Sequence, residues 1–223
     1  MKIKVCGMKY RENIEAVAAL QPDYLGFIFY ENSARNNEDT VPTLPSNIHK
    51  VGVFVDAEID FVVEKVKKHQ LNAIQLHGKE SAEYCKELRN RIMTPETGLK
   101  ENKTTSHEET KNIKIVKVFS IKDEFDFGRL QPFEDTVDFF LFDTKGKLPG
   151  GNGYSFNWEV LKNYPSNKPF FLSGGIGMEH LEKIKNMNLE LPIHAIDVNS
   201  KFELEPGLKN VELLQNFVKD FRF

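Results

Sequence analysis

The chain has 223 residues, of which 40% are hydrophobic and 28% are charged, and its formal net charge is −3. A chain of this kind is expected to fold as one domain over residues 1–223, and its charge does not favour nucleic acid or a membrane surface as a partner. It has no apolar run as long as a membrane span and no signal-peptide pattern, so we expect a cytoplasmic protein.

The first half of the chain alternates short apolar strands with helical segments. Strands are predicted at residues 3–6, 24–29, 50–55 and 73–76. Apolar residues at helical spacing predict helices after the first, third and fourth strands, the last of them at about residues 81–92. Residues 31–49 contain two prolines and little periodicity, so the second helix is predicted to be shortened.

The second half begins with a polar, charged segment at residues 94–112, which is predicted to be a surface insertion before strand five. Strands follow at residues 113–119, 137–142, 169–173 and 194–198, and helices are predicted around residues 181–187 and 214–221. Eight short strands, most of them separated by a helical segment, predict an α/β protein with a single (β/α)8 TIM barrel. A doubly wound open sheet is the alternative, although eight strands in one unit favour closure.

Two residues at strand ends are candidates for acid–base chemistry, because the active site of such a barrel lies at the C-terminal ends of the strands. Asp143 follows a buried strand and precedes a glycine-rich loop, although it could instead cap the next helix. Cys6 ends the first strand, across the lumen from Asp143. A thiol of lowered pKa can act as a base, and a carboxyl group of raised pKa can act as an acid. The alternative for Cys6 is a small buried hydrophobe, which is our interpretation of Cys85.

The turns after strands seven and eight predict a phosphate site at Gly174, Gly175, Asn199 and Ser200. Two adjacent glycines let the backbone approach an anion closely, and a plain tight turn is the alternative. His77 follows strand four, and a catalytic and an orienting role both stay open. The six histidines are scattered without ligand spacing, so no metal site is predicted.

A set of motifs spans the chain from Lys2 to about Gly207. In order, they are K-V-C-G-M-K, G-F-I-F-Y-E-N-S-A-R, V-G-V-F-V, I-Q-L-H-G, L-F-D-T, P-G-G-N-G-Y-S-F-N-W, L-S-G-G-I and D-V-N-S-K-F-E. Their combination resembles the phosphoribosylanthranilate isomerase family of tryptophan biosynthesis. The resemblance implies an intramolecular oxidoreductase without a cofactor. Such an enzyme converts a small phosphoribosyl substrate, N-(5-phosphoribosyl)anthranilate, to 1-(o-carboxyphenylamino)-1-deoxyribulose 5-phosphate by an Amadori rearrangement.

The resemblance also implies roles for individual residues. Asp143 protonates the ring oxygen, and Cys6 removes the proton from C2. Arg35 holds the anthranilate carboxylate with its bidentate fork, and Asp197 hydrogen-bonds the substrate near its amine. We expect the protein to be a monomer or a homodimer.

Several positions depart from the family pattern. Ala34 and Asn36 flank Arg35 where the family has S-P-R-Y, Asn157 stands in place of the aspartate of F-D-W, and Lys201 replaces a glycine. These changes bear on substrate affinity rather than on the reaction.

Two rival functions stay open: the sugar isomerase of histidine biosynthesis, which uses an aspartate in place of the thiol, and a non-catalytic binder of phosphate ligands. The thiol argues against the first, and retention of both acid and base argues against the second.

Overall fold

Eight parallel strands form a closed barrel in the computed structural model, which describes residues 1–93, 113–122, 124–144, 157–187 and 190–222. The strands follow one another in chain order, and β8 pairs with β1 to close the ring. Their bounds are β1 Lys2–Val5, β2 Tyr24–Ile28, β3 His49–Phe54, β4 Ala73–Leu76, β5 Lys114–Ile121, β6 Phe139–Thr144, β7 Phe170–Leu172 and β8 Ile193–Val198. The predicted TIM barrel is therefore confirmed.

The strand bounds differ from the prediction by up to two residues, most clearly in β6. The apolar pattern predicted residues 137–142, whereas the strand spans Phe139–Thr144. The N–H of Val137 donates to the carbonyl oxygen of Phe133 at 3.2 Å, so this residue belongs to the preceding turn. Asp143 consequently lies inside the strand rather than in the loop after it.

Helices of unequal length surround the barrel. The α-helices are α1 Arg11–Ala18, α2 Ile59–His69, α3 Ala82–Met93, α4 Leu181–Met187 and α5 Val211–Arg222. Short 3-10 helices at Phe127–Phe133 and Trp158–Asn163 follow β5 and β6. Residues 29–48, all of them described, contain no helix, which agrees with the predicted shortening. The predicted insertion at 94–112 and the glycine-rich segment at 145–156 lie outside the described residues.

Side chains that point into the barrel divide it into an apolar layer and a polar layer. Tyr24, Val51, Ala73, Val116, Val118, Leu141, Phe171 and Ala195 form one buried cluster. Because side chains alternate along a strand, the next inward positions after Ala73, Leu141 and Ala195 are Gln75, Asp143 and Asp197. The apolar layer thus closes the barrel below, and polar groups face the mouth. In the described part of the chain, no helix is long and apolar enough to cross a membrane.

Candidate active site

A cavity opens at the C-terminal ends of the strands. Its walls come from the described segments that follow several strands, including β1, β2, β7 and β8, and from Asp143 and Thr144 at the end of β6. All eight site residues predicted from the sequence line it: Cys6, Arg35, Asp143, Gly174, Gly175, Asp197, Asn199 and Ser200. The closure of the barrel brings these residues together from distant parts of the chain.

Cys6 and Asp143 lie on two walls of this cavity, three strands apart around the ring. Cys6 follows β1 directly, and its N–H donates to the carbonyl oxygen of Val198 at 2.9 Å. The Oδ1 atom of Asp143 accepts from the N–H of Thr144 at 2.8 Å, and Oδ2 lies 3.4 Å from Nε2 of His77. Both Cys6 and Asp143 are 5% exposed, so a ligand in the cavity would meet them in a largely dry environment.

A row of polar groups crosses the barrel at the cavity, and three of its members, Gln75, His77 and Asp197, line the cavity itself. The Nζ atom of Lys4 donates to Oδ2 of Asp197 at 2.9 Å and to Oε1 of Gln75 at 2.8 Å. The Nε2 atom of Gln75 lies 3.4 Å from Nδ1 of His77. Because an ammonium only donates, it orients the Gln75 amide so that Nε2 donates to His77. The proton of neutral His77 is then on Nε2, which faces Asp143. This geometry supports the orienting role for His77.

Burial and neighbouring groups of opposite charge shift the pKa values of Lys4 and Cys6 in opposite directions. Burial by itself lowers the pKa of Lys4, but Asp197 and Cys6 outweigh it, so the pKa is raised and the ammonium is kept. Burial raises the pKa of the Cys6 thiol, and Lys4 opposes that shift. The thiol therefore does not have the lowered pKa considered from the sequence, and Lys4 is the cation that favours its thiolate. No group of three His, Cys, Asp or Glu side chains within the described ranges is arranged to hold a metal ion.

Arg35 lines the cavity while being bound to Glu203. Its Nε donates to Oε1 and Oε2 of Glu203 at 2.9 and 3.1 Å, and its Nη2 donates to Oε2 at 2.6 Å. Glu203 begins β9 (Glu203–Glu205), which pairs with β10 (Leu208–Lys209) after the barrel closes. Nothing in the local sequence around Arg35 indicates this partner, since the two residues are 168 positions apart.

The loop that carries Arg35 is closed by one of the residues that depart from the family pattern. The Oδ1 atom of Asn36 accepts from the N–H of Tyr30 at 3.1 Å, and Asn36 also bridges to Ile28. The N–H of Arg35 donates to Oγ of Ser33 at 3.2 Å. These bonds hold the segment in place without a helix.

The turn after β7 requires glycine for two reasons. Gly174 and Gly175 have φ angles of +94° and +62°, in the region that other residues rarely adopt. A Cβ atom on Gly174 would also lie 2.8 Å from the backbone nitrogen of Thr144. The missing side chain of Gly174 therefore makes room for the residue next to Asp143, a packing role that the sequence pattern did not indicate.

We expect Gly174→Ala to lower the free energy of unfolding by about 1–3 kcal/mol, the usual cost of a strained left-handed residue. The displaced Thr144 should also lower kcat, because its N–H holds Asp143. Urea titration and steady-state kinetics measure the two effects. Gly128→Ala, at an exposed position of the 3-10 helix after β5, is the control and should leave kcat unchanged. Parental stability in Gly174→Ala would contradict this account.

Comparison with known proteins gives concordant matches. The model of the family N-(5'-phosphoribosyl)anthranilate (PRA) isomerase matches residues 3–97 and 97–220. The N-(5'-phosphoribosyl)anthranilate isomerase of Parabacteroides distasonis is 39% identical over 225 residues, which cover 98% of this chain and 92% of the relative. The crystal structure of phosphoribosyl anthranilate isomerase from Thermotoga maritima is 26% identical, with a TM-score of 0.78 and coverage of 100% and 98%.

A further solved structure shares the fold and holds a ligand. It is phosphoribosyl anthranilate isomerase in complex with reduced 1-(o-carboxyphenylamino)-1-deoxyribulose 5-phosphate. It aligns with a TM-score of 0.72 at 24% identity and covers 100% of this chain and 98% of its own.

Proposed function

The chain belongs to the N-(5'-phosphoribosyl)anthranilate isomerase family, and from this premise we propose how its cavity performs the reaction. The activity is the isomerisation of N-(5-phosphoribosyl)anthranilate in tryptophan biosynthesis, an aldose–ketose conversion. Such an Amadori rearrangement needs a proton donor at the ring oxygen, a base at C2 and anchors for the two anionic ends of the substrate. The observation that carries the proposal is a single cavity that has Cys6 and Asp143 on separate walls. Arg35 also lines this cavity, and it is bound to Glu203 of the hairpin formed by β9 and β10.

Ring opening is the first step of the proposed mechanism. Asp143 gives its proton to the furanose ring oxygen, the bond between that oxygen and C1 breaks, and the nitrogen lone pair forms a C1=N iminium. His77 and the N–H of Thr144 hold the two oxygens of Asp143, so the carboxyl group meets the substrate in a defined orientation.

Proton removal from C2 is the second step. The Cys6 thiolate takes the proton, the C–H electron pair forms a C1=C2 double bond, and the iminium electrons return to nitrogen. The enolamine then loses its hydroxyl proton and gains a proton at C1, which gives the ketose. Lys4 supports this step from below, because a nearby ammonium favours a thiolate over a thiol.

Three further groups are proposed to bind the substrate. Arg35 binds the anthranilate carboxylate, and Asp197 accepts a hydrogen bond near the substrate amine. Gly174, Gly175, Asn199 and Ser200 hold the phosphate. Support for the phosphate assignment comes from the turns after β7 and β8, which both line this cavity.

Conversion of enzymatically generated N-(5-phosphoribosyl)anthranilate tests the function directly. We expect the fluorescence of this substrate to decay when the protein is added, and to stay constant with a Cys6→Ser, Asp143→Asn double variant. Equal decay with and without the parent protein would contradict the isomerase function. The two catalysed proton transfers, to the ring oxygen and from C2, use Asp143 and Cys6, so the proposal requires no cofactor, and dialysis against a chelator should leave the rate unchanged.

Arg35→Ala is expected to raise KM by about 10- to 100-fold, the range for a lost hydrogen bond to a charged group. Arg35→Lys should recover little, because an ammonium lacks the planar fork. Initial-rate kinetics measure both. Arg11→Ala removes an arginine that is exposed and paired on α1, and it should leave KM unchanged. Parental KM values in both Arg35 variants would remove Arg35 from the site.

Assembly and location stay predictions. We propose a monomer or a homodimer built from a single-domain chain that acts in the cytoplasm. Sedimentation equilibrium over a range of protein concentrations distinguishes the two assembly states.

A further inference from the structure

The guanidinium of Arg35 has one edge bound and one edge without a described partner. Its Nε and Nη2 atoms donate three hydrogen bonds to the carboxylate of Glu203. Among the residues that the structure describes, none accepts a hydrogen bond from Nη1. A guanidinium carries five N–H donors in a rigid plane, so binding one edge fixes the direction of the other.

Glu203 is itself rigidly held. Its side chain is 5% exposed, and Oε1 accepts from Nζ of Lys209 at 2.6 Å and from the N–H of Gly207 at 3.0 Å. Burial tends to raise the pKa of Glu203, but the bonds from Arg35 and Lys209 outweigh it, so the pKa is lowered and the carboxylate stays ionised. A buried charge with this many donors has little freedom to move.

Two other contacts place this pair at the cavity. Gly7 has a φ of +74°, and a Cβ atom there would lie 2.8 Å from Cδ of Arg35 and 2.7 Å from Oδ1 of Asn199. The absence of a side chain at Gly7 therefore lets the stem of Arg35 reach the cavity wall beside Asn199. Lys209 also donates to Oδ1 of Asn199 at 2.6 Å, so one hairpin supports residues from both proposed anion sites.

We propose that Glu203 is the positioning residue that makes Arg35 a carboxylate clamp, and thereby sets the preference for a substrate whose aromatic ring carries a carboxylate. Glu203 holds the Nε and Nη2 edge, and the Nη1 edge is kept for the ligand. This inference rests on the proposed function, since it assigns the group that selects the anthranilate end of the substrate. It also explains how Arg35 is oriented although no helix follows β2.

A pair of ligands that differ by one carboxylate tests the inference without requiring turnover. One is reduced 1-(o-carboxyphenylamino)-1-deoxyribulose 5-phosphate, and the other is its phenylamino counterpart without the carboxyl group. We expect Glu203→Gln to weaken binding of the first ligand about tenfold and to leave binding of the second within about twofold. Glu203→Asp, which keeps the charge, should recover part of the loss. Glu205→Gln, an equal charge change at an exposed position of the same strand, should leave both affinities unchanged.

The outcomes separate this inference from the proposed function. Equal weakening of both ligands in Glu203→Gln would show a merely structural role and overturn the inference, as would unchanged binding of the carboxylated ligand. A parent protein that turns over the carboxylated and carboxyl-free substrates equally would overturn the clamp and leave the isomerase function standing. A parent that binds the carboxylated ligand selectively but turns over neither substrate would contradict the isomerase function and support the clamp.

Discussion

Cys6→Ser is expected to lower kcat by about 10²- to 10⁴-fold, the usual cost of losing a positioned base, while KM changes only a few-fold. The substitution nearly conserves volume, so the buried site keeps its packing. An alcohol is a far weaker acid than a thiol, whose ordinary pKa is about 8.5, so the oxygen anion needed to accept the C2 proton is scarcely populated. Lys4 would still be present, but it would face a group that it cannot ionise.

Cys85→Ser is the matched control for this loss. Cys85 lies on α3 away from the cavity, and burial raises the pKa of its thiol to about 11. We expect Cys85→Ser to retain the parental kcat. A Cys6→Ser enzyme with near-parental kcat would show that another group accepts the C2 proton.

The pH dependence of kcat/KM gives a second measure of the same base. The deprotonated thiol is the active form, but ring opening by the parent also needs a protonated Asp143, and loss of that proton at rising pH opposes the gain in thiolate. In Asp143→Asn the acid is absent, so the residual kcat/KM should rise as the pH increases toward the pKa of Cys6. Because burial raises that pKa above its ordinary value, the rise should continue beyond about pH 8.5. The Cys6→Ser, Asp143→Asn double variant should lose this ascending limb. A residual profile of Asp143→Asn that is flat between neutral pH and pH 9 would contradict a base of raised pKa.

Asp143→Asn is expected to have a similar effect, lowering kcat by about 10²- to 10⁴-fold. The amide keeps the shape of the side chain but has no acidic proton for the ring oxygen, so opening of the ring slows. KM should change little, since Asp143 is not assigned to ground-state binding. Stopped-flow measurement of single turnovers should place the loss in the chemical step rather than in product release.

Asp138→Asn provides the control on the segment that leads into β6. Asp138 lies outside the cavity, where its Oδ2 forms a salt bridge with Nη2 of Arg89 at 2.7 Å and accepts a hydrogen bond from the N–H of Ile115 at 2.8 Å. We expect Asp138→Asn to lower the stability of the fold and to leave kcat unchanged. If Asp143→Asn instead keeps near-parental kcat, the proton donor is another group, and His77 is the neighbouring candidate because its Nε2 faces the same position.

The architecture and the placement of Cys6, Asp143 and the two predicted phosphate turns at one mouth followed from local patterns in the sequence, whereas Arg35 and Asp197 were assigned from the family resemblance. Apolar runs of strand length and helical spacing report which face of each segment is buried, and that information is local. Because the C-terminal ends of all eight strands of such a barrel surround the same opening, Cys6 and Asp143 could be predicted to lie at one cavity. The absence of a helix after β2 also agrees with the sequence, since two prolines and missing periodicity in residues 31–49 predicted a shortened helix there.

The partners of the site residues were decided only by the tertiary structure. The pairing of Arg35 with Glu203 and the row from Asp197 through Lys4 to Gln75 both join segments that are far apart in the chain. Which side chains meet across a closed barrel depends on the register of all eight strands, and no local pattern contains that register. The alternation of K-I-K-V does place Lys4 on the face of Cys6, but only closure shows that its charge meets Asp197 rather than solvent.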